Sequence, residues 1–209
     1  MRSKGDRVGA VVLAAGKSSR MGEAKQVLRL GERTLLEQTL RNVRAARVDP
    51  VVMVLGAAAE AIRAQLPAEL LSETRLALNL EYETGMASSL RVGLAAVGSE
   101  VNAALIVLGD QPFVLPGTLD QVVGEYRRTR AQIVVPVHDG SRGNPVLLDW
   151  SLFGEAMALE GDVGCRAIFG KHPNGIVYVE VDDPGILMDI DSREDYESAR
   201  QAYAERTQA

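Results

Sequence analysis

Short apolar runs alternate along this chain with longer stretches in which apolar residues recur every three or four positions. "VGAVVLAAG" (8–16) is a compact greasy run closed by glycine, the pattern of a buried strand. "RTLLEQTLRNVRAARV" (33–48) spaces its leucines and valines as one helical face and puts charge on the other. The alternation continues with a strand in "DPVVMVLG" (49–56), a helix in "AAAEAIRAQL" (57–66) and a strand in "RLALNLEY" (75–82). "GMASSLRVGLAAV" (85–97) opens a helix on glycine, and "NAALIVLGDQP" (102–112) is the clearest buried strand, stopping at Gly109-Asp110.

"PGTLDQVVGEYRRTR" (116–130) is helical, with proline where a missing N–H costs little. "AQIVVPV" (131–137) and "GNPVLLD" (143–149) read as strands, "WSLFGEAMALEG" (150–161) as a helix, and "GIVYVEVDD" (175–183) and "ILMDID" (186–191) as late strands. "SREDYESARQAYAERT" (192–207) is a terminal helix capped by Ser192. Strand and helix alternating with short connections predict a three-layer α/β/α fold with a mostly parallel central sheet. No repeat or linker divides the chain, so one domain is expected over 1–209. The alternation loses regularity after Val137, where a small inserted acceptor-binding lobe is expected over about 137–190.

Composition changes this picture little: 46% hydrophobic and 24% charged residues in 209 are enough for one substantial core. A net charge of −5 argues against a nucleic-acid partner. No run approaches the roughly 20 apolar residues of a membrane span, and "MRSKGDR" runs into a strand without a cleavage pattern. The expectation is a cytoplasmic protein. Its single cysteine, Cys165, reads as a small buried residue, and its histidines, His138 and His172, sit in no motif.

In doubly wound sheets ligands gather beyond the carboxyl ends of strands, which directs attention to the loop after the first strand. A P-loop would need glycine where Val11 stands, and the dinucleotide fingerprint needs glycines closer than Gly16 and Gly22. What the loop does hold is Ala14, Ala15 and Gly16, small enough for close backbone approach, then Ser18, Ser19, Arg20 and Lys25. Hydroxyls and an arginine fork suit phosphate oxygens, and a lysine is a mobile point charge.

"LAAGKSSRMGEAK" resembles the signature of the nucleotidyltransferase superfamily, matching at Gly16, Arg20, Met21, Gly22 and Lys25. That resemblance implies a Rossmann-like fold of the nucleotide-diphospho-sugar transferase type. It implies transfer of a nucleotidyl group to a phosphate-bearing acceptor, with pyrophosphate released. Catalysis then falls to Lys25, Arg20 and Asp110, and the nucleotide to Leu13, Ala14, Ala15, Gly16, Ser18, Lys25, Gly85, Ser88, Ser89 and Gly109. Mg²⁺ is the expected metal, held by carboxylates and phosphate oxygens. Asp110, directly after a buried strand, is too costly to leave unpaired and fits as one ligand. Asp191 is the preferred second, with Asp189 open as the alternative, since the two share a face if "LMDID" is extended. The glycine and serines of "GMASS" offer N–H groups and hydroxyls to a base or ribose.

Taken together, "AAGKSSRMG", "GMASSLRVG", "GDQP", "RGNPVLL", "GDVGCRAIF" and "DIDSREDY" resemble the molybdenum cofactor cytidylyltransferase group over nearly the whole chain. This implies CTP and a molybdopterin-type cofactor as substrates, with transient handover to a molybdenum hydroxylase or its chaperone. Arg142, Asn144, Asp162 and Arg166 would meet the acceptor. Ala15 stands where guanylyl-transferring relatives carry glycine, and its methyl would take space a purine needs. The acceptor phosphate is already ionised, so no general base is required. Two other readings stay open: another small-molecule transferase with the same loop (guanylyl transfer to molybdopterin, or cytidylyl or sugar-phosphate transfer), and a carrier of the cofactor without turnover.

Overall fold

The structure is a computed structural model that describes residues 6–17 and 24–208, with side chains described up to residue 204. Its first half follows the predicted alternation. Strand β1 (Val8–Ala14) leads, through the first loop and a small hairpin of β2 (Arg29–Leu30) and β3 (Arg33–Thr34), into helix α1 (Leu35–Ala45). Thr34 caps α1 by accepting the Glu37 N–H at 3.1 Å. Then come β4 (Val51–Leu55), α2 (Ala59–Gln65), a short α3 (Ala68–Ser72), β5 (Arg75–Leu78), α4 (Met86–Val97), β6 (Ala103–Leu108) and α5 (Pro116–Thr129).

The remainder adds β7 (Ile133–His138), β8 (Ser141–Arg142), β9 (Val146–Asp149), α6 (Phe153–Met157), β10 (Ile176–Glu180) and α7 (Arg193–Gln208). Among the described residues the sheet has eight strands in the order β10-β7-β9-β6-β1-β4-β5, with β8 added to β7. All pairings are parallel except those of β9 with β6 and β7 and of β8 with β7. The irregular region after Val137 therefore feeds β8, β9 and β10 into the main sheet.

Alternation within each strand builds a three-layer sandwich. Val8, Ala10, Val12 and Ala14 of β1 face one core with Met53, Leu105 and the inner faces of α1 and α5, including Leu40 and Val122. Val11 turns to the opposite core with Val54, Ile106 and the α4 residues Leu90 and Leu94. Helix α4 lies close on the sheet because residue 93 is glycine: a Cβ there would fall 2.2 Å from Val11. A third small cluster, Leu28, Leu30, Leu35, Phe113, Ile190 and Ala199, fastens α7 over the β2–β3 hairpin.

One predicted strand is absent. "ILMDID" is a single helical turn at Pro184–Leu187 followed by irregular chain. Its apolar alternation has another cause: Ile186 enters the α1/α5 core while Ile190 enters the small third cluster. Buried Asp183 sets the turn by accepting bonds from Gly185 N–H (2.9 Å), Leu115 N–H (2.9 Å) and the Thr118 hydroxyl (2.6 Å). The predicted strand at 75–82 stops at Leu78, because Asn79 turns inward and Tyr82–Thr84 coil into a helical turn. The hairpin β2–β3 and helix α3 had no signal in the pattern large enough to announce them.

Candidate active site

Strands β1, β4, β5 and β6 run parallel, so their carboxyl ends deliver the following loops to one rim of the sheet. Those loops enclose a cleft of about 550 Å³. Leu13, Ala15, Gly16 and Lys17 form one wall, Tyr82 to Met86 with Ser89 another, and Lys25, Gly109, Asp110, Asp189 and Asp191 the far end. Gly109 suits this corner: its N–H donates to Leu13 O at 2.9 Å, and a Cβ there would sit 2.9 Å from that same oxygen.

At the far end Lys25 joins segments from three parts of the chain. Its Nζ lies 2.5 Å from Asp110 Oδ2 and 2.6 Å from Asp191 Oδ1. Burial pulls the ammonium's pKa down, but the charges and hydrogen bonds of Asp110 and Asp191 outweigh it and hold the group above its ordinary value. Asp191 is fixed from behind by the start of α7. There Ser192 N–H donates to Asp195 Oδ2 at 2.8 Å and Asp195 N–H to Ser192 Oγ at 3.1 Å, a reciprocal cap.

One lysine does not neutralise this corner. Asp110 Oδ1 is buried and has no hydrogen-bond partner among the described residues. Asp189 stands nearby as a third carboxylate, bonded by the Gln111 amide. Burial, then the charge of Asp110, raise its pKa above the usual aspartate range. Among the described residues no three His, Cys, Asp or Glu form a ready metal cage. Even so, the donor set fits a hard divalent cation: carboxylate oxygens in excess, one of them orphaned, around a spot that already draws positive charge.

The opening of α4 is built differently. Gly85 has φ +111°, and a Cβ on it would lie 2.3 Å from the Gly161 carbonyl carbon. That close approach lets the 161–162 turn cap the helix: Ala87 N–H donates to Gly161 O and Met86 N–H to Asp162 Oδ1, both at 3.2 Å. Ser88 is 2% exposed, and its hydroxyl donates toward Gly85 O at 2.8 Å and Glu81 O at 3.0 Å. Buried Asn79 supplies bonds to both Ser88 Oγ (2.8 Å) and Ser89 Oγ (3.0 Å). The N–H groups and hydroxyls expected to face a ligand are thus largely consumed inside the protein, because the helix start is buried and must be satisfied there. Ser89 still reaches the cleft wall and Ser88 does not.

The remaining predicted residues divide. Ala14 lies behind the cleft, its carbonyl 3.4 Å from the buried Gln26 amide, which also donates to Gly16 O at 3.2 Å. The Ala15 methyl, expected to limit base size, is buried and faces Gly56, where an added Cβ would come within 2.9 Å of it. Asp162 lines the cleft as a helix cap. Arg142, Asn144 and Arg166 gather apart from it: the Arg166 guanidinium donates to Gly143 O (2.8 Å) and Asn144 Oδ1 (3.3 Å), while Arg142 lies 4.8 Å from the Tyr178 ring centroid. Ser18 and Arg20 lie outside the described residues. Cys165 is buried, which pushes its thiol up to about 12, so it carries no thiolate.

Sequence reasoning overlooked Gln26, Asn79, Gln111 and Lys17. Lys17 spans the mouth of the cleft to Glu83 at 2.6 Å. Gln26 had a usable signal in its place directly after Lys25. Asn79 had another, as a lone polar residue at an inward position of a strand-like run.

Comparison with known proteins agrees with this geometry. The MobA-like NTP transferase domain matches residues 10–176. Nicotine blue oxidoreductase of Paenarthrobacter nicotinovorans is 30% identical over 90% of this chain and 93% of its own length. The molybdenum cofactor cytidylyltransferase of Escherichia coli K12 is 24% identical over 95% and 98%. The crystal structure of Rv0371c from Mycobacterium tuberculosis H37Rv superposes with a TM-score of 0.80 at 34% identity, covering 93% of this chain and 98% of that one. Its complex with manganese gives 0.75 at 28% identity over 94% and 99%. No helix among the described residues is long and apolar enough to cross a membrane. With its family domain matched over most of its length and the cleft at the expected end of the sheet, this chain belongs to the MobA-like NTP transferase family.

Proposed function

We propose that this protein transfers the cytidylyl group of CTP to molybdenum-bearing molybdopterin, releasing pyrophosphate in a Mg²⁺-dependent reaction. The observation that carries the reading is Lys25 held between Asp110 and Asp191 at the end of the cleft, beside an orphaned carboxylate oxygen. The acceptor comes from the cytidylyltransferase relative and from the motifs that resemble its group.

Nucleotidyltransferases of this family use divalent metals. Here Asp110 and Asp191 would hold one with Asp189 beside them, and the bound cation would supply positive charge to the phosphates. The chain's own residues do the rest. Lys25 is a charged group on a flexible stem, so it can turn from its carboxylates to an α-phosphate oxygen and stabilise charge that develops there. Gln26 grips the Ala14 and Gly16 carbonyls and keeps the first loop in shape for the triphosphate. An oxygen of the acceptor's terminal phosphate attacks the α-phosphorus. The bond from that phosphorus to the β-bridging oxygen breaks, and pyrophosphate leaves with the electron pair. No proton must be removed from an ionised phosphate, which agrees with the lack of any histidine in the cleft lining.

A second reading rests on the 30% identical relative, named as an oxidoreductase. A hydride donor has no need for two carboxylates about a lysine with a third beside them, and that favours transfer. The deciding assay gives the protein Mg²⁺ and molybdenum cofactor and follows pyrophosphate with CTP, GTP and ATP, alongside dye reduction by a reduced nicotinamide. Release with CTP alone is expected. Release with GTP alone would overturn the base, and dye reduction without pyrophosphate would overturn the reaction.

A further inference from the structure

Directly after Asp110 the chain buries a glutamine. Gln111 is 1% exposed, just past the carboxyl end of β6, with its amide turned toward the stretch that carries Asp189 and Asp191. The amide Nε2 donates to two oxygens, Ile186 O at 3.3 Å and Asp189 Oδ1. Both are acceptors, which settles the orientation of the amide. Its Oε1 is then buried with no hydrogen-bond partner among the described residues. An unpaired buried oxygen costs stability, and a hydrocarbon side chain of the same length would avoid that cost.

The two bonds are not equivalent. Ile186 O also accepts the Asn144 N–H at 3.0 Å, so this carbonyl is satisfied without Gln111. The backbone around it is fastened by other means: Ile190 N–H donates to Asp110 O at 3.3 Å, and Ile186 and Ile190 are both buried. Asp189, by contrast, is exposed and lies on neither strand nor helix. Among the described residues its side chain takes one hydrogen bond, from Gln111. What depends on the amide is the direction of one carboxylate.

We propose that Gln111 is a positioning residue: it holds Asp189 by one oxygen at the Lys25 corner and leaves the other oxygen to the cation that Asp110 and Asp191 would hold. This rests on the metal reading of that corner given above. Asp110, Asp191 and Lys25 all act electrostatically on Asp189, so its direction bears on the same spot. The choice of side chain agrees. A lysine or arginine would also fix a carboxylate, but its charge would cancel the one a cation needs. An amide donates without charge. Outer hydrogen bonds of this kind orient carboxylates around metals, and their loss lowers metal affinity by about 10- to 100-fold.

Titration of the full chain with Mn²⁺ alone, following the free ion by electron paramagnetic resonance, tests this without nucleotide or acceptor. Gln111→Met removes the tether and the unpaired oxygen together. Its metal-free circular dichroism and melting temperature should match the wild type, while Mn²⁺ affinity falls by about 10-fold or more. Gln111→Asn keeps the amide but draws it back by one carbon, and the same loss is expected of it should the methionine variant fail to fold. Asp189→Asn should lower Mn²⁺ affinity by a similar factor, and adding Gln111→Met to it should lower it no further. A wild type that binds Mn²⁺ no more tightly than Asp110→Asn overturns the metal corner and this proposal with it. Wild-type binding of Mn²⁺ that is unchanged in Gln111→Met and Gln111→Asn overturns the proposal alone. So does an equal further loss in the Asp189→Asn background, because Gln111 would then act through some other group.

Discussion

The two ends of the cleft use similar polar residues in opposite ways. At the Lys25 end, Asp110 and Asp191 share one ammonium, Asp189 stands beside them, and a buried oxygen of Asp110 is without a partner among the described residues. At the α4 end the polar groups are largely paired: Asn79 donates to both serines, and the 161–162 turn caps the helix. The first arrangement carries electrostatic tension that a cation relieves. The second is a finished piece of scaffold. Unsatisfied polarity marks where chemistry is done, and satisfied polarity marks what holds the chemistry in place.

Mutations should separate the two ends sharply. Asp110→Ala is expected to lower turnover by at least about 100-fold, with the fold retained because Lys25 keeps Asp191 as a partner. Pyrophosphate release and circular dichroism check this together, and near-normal turnover would remove Asp110 from the metal role. Lys25→Ala should come next, lowering kcat by roughly 10- to 100-fold with a smaller change in the KM for the nucleotide. The opposite split, with KM moved and kcat kept, would make Lys25 a binding residue only.

At the scaffold end the reading is stability. Asn79→Ala leaves two buried hydroxyls short of a donor and should cost about 1–3 kcal/mol in denaturant unfolding. A neutral result would mean the serines find other partners. The smallest effect is expected at Asp189. Its carboxyl pKa is raised in the folded state by burial and by Asp110, so the native protein holds a proton that the unfolded chain gives up more readily. The stability this contributes is present below the ordinary aspartate range and is lost as pH rises through the raised value. Metal-free Asp189→Asn should therefore melt about 2 °C above the wild type at neutral pH, with the gap vanishing in acid. A lower melting temperature at neutral pH would contradict the assigned strain.

Where the expectations and the structure diverge, the physics differs residue by residue. "VGAVVLAAG" and "NAALIVLGDQP" were legible because a strand buried on both faces must be apolar throughout, and Gly109-Asp110 had to end one. "ILMDID" was misleading because its alternation reflects two separate cores and not two faces of a sheet. Asp191 nevertheless reaches Lys25, since the cap of α7 places it there without a strand. Ser88 and Ser89 carry the same letters, yet the fold turns Ser88 wholly inward to Asn79 and leaves Ser89 on the cleft wall.

The sequence alone therefore determined the layers of the sandwich, the rim of the sheet where the cleft lies, and the residue types gathered there. Those follow from local periodicity and from the cost of burying charge, which are written into short windows of sequence. Only the tertiary structure decided that Lys25 is shared between Asp110 and Asp191, 85 and 166 positions away along the chain. It alone decided that Asn79 donates to both serine hydroxyls, and that Arg142 and Arg166 gather away from the cleft. Each of these is a competition among distant groups for the same partner, and no short window of sequence contains both competitors.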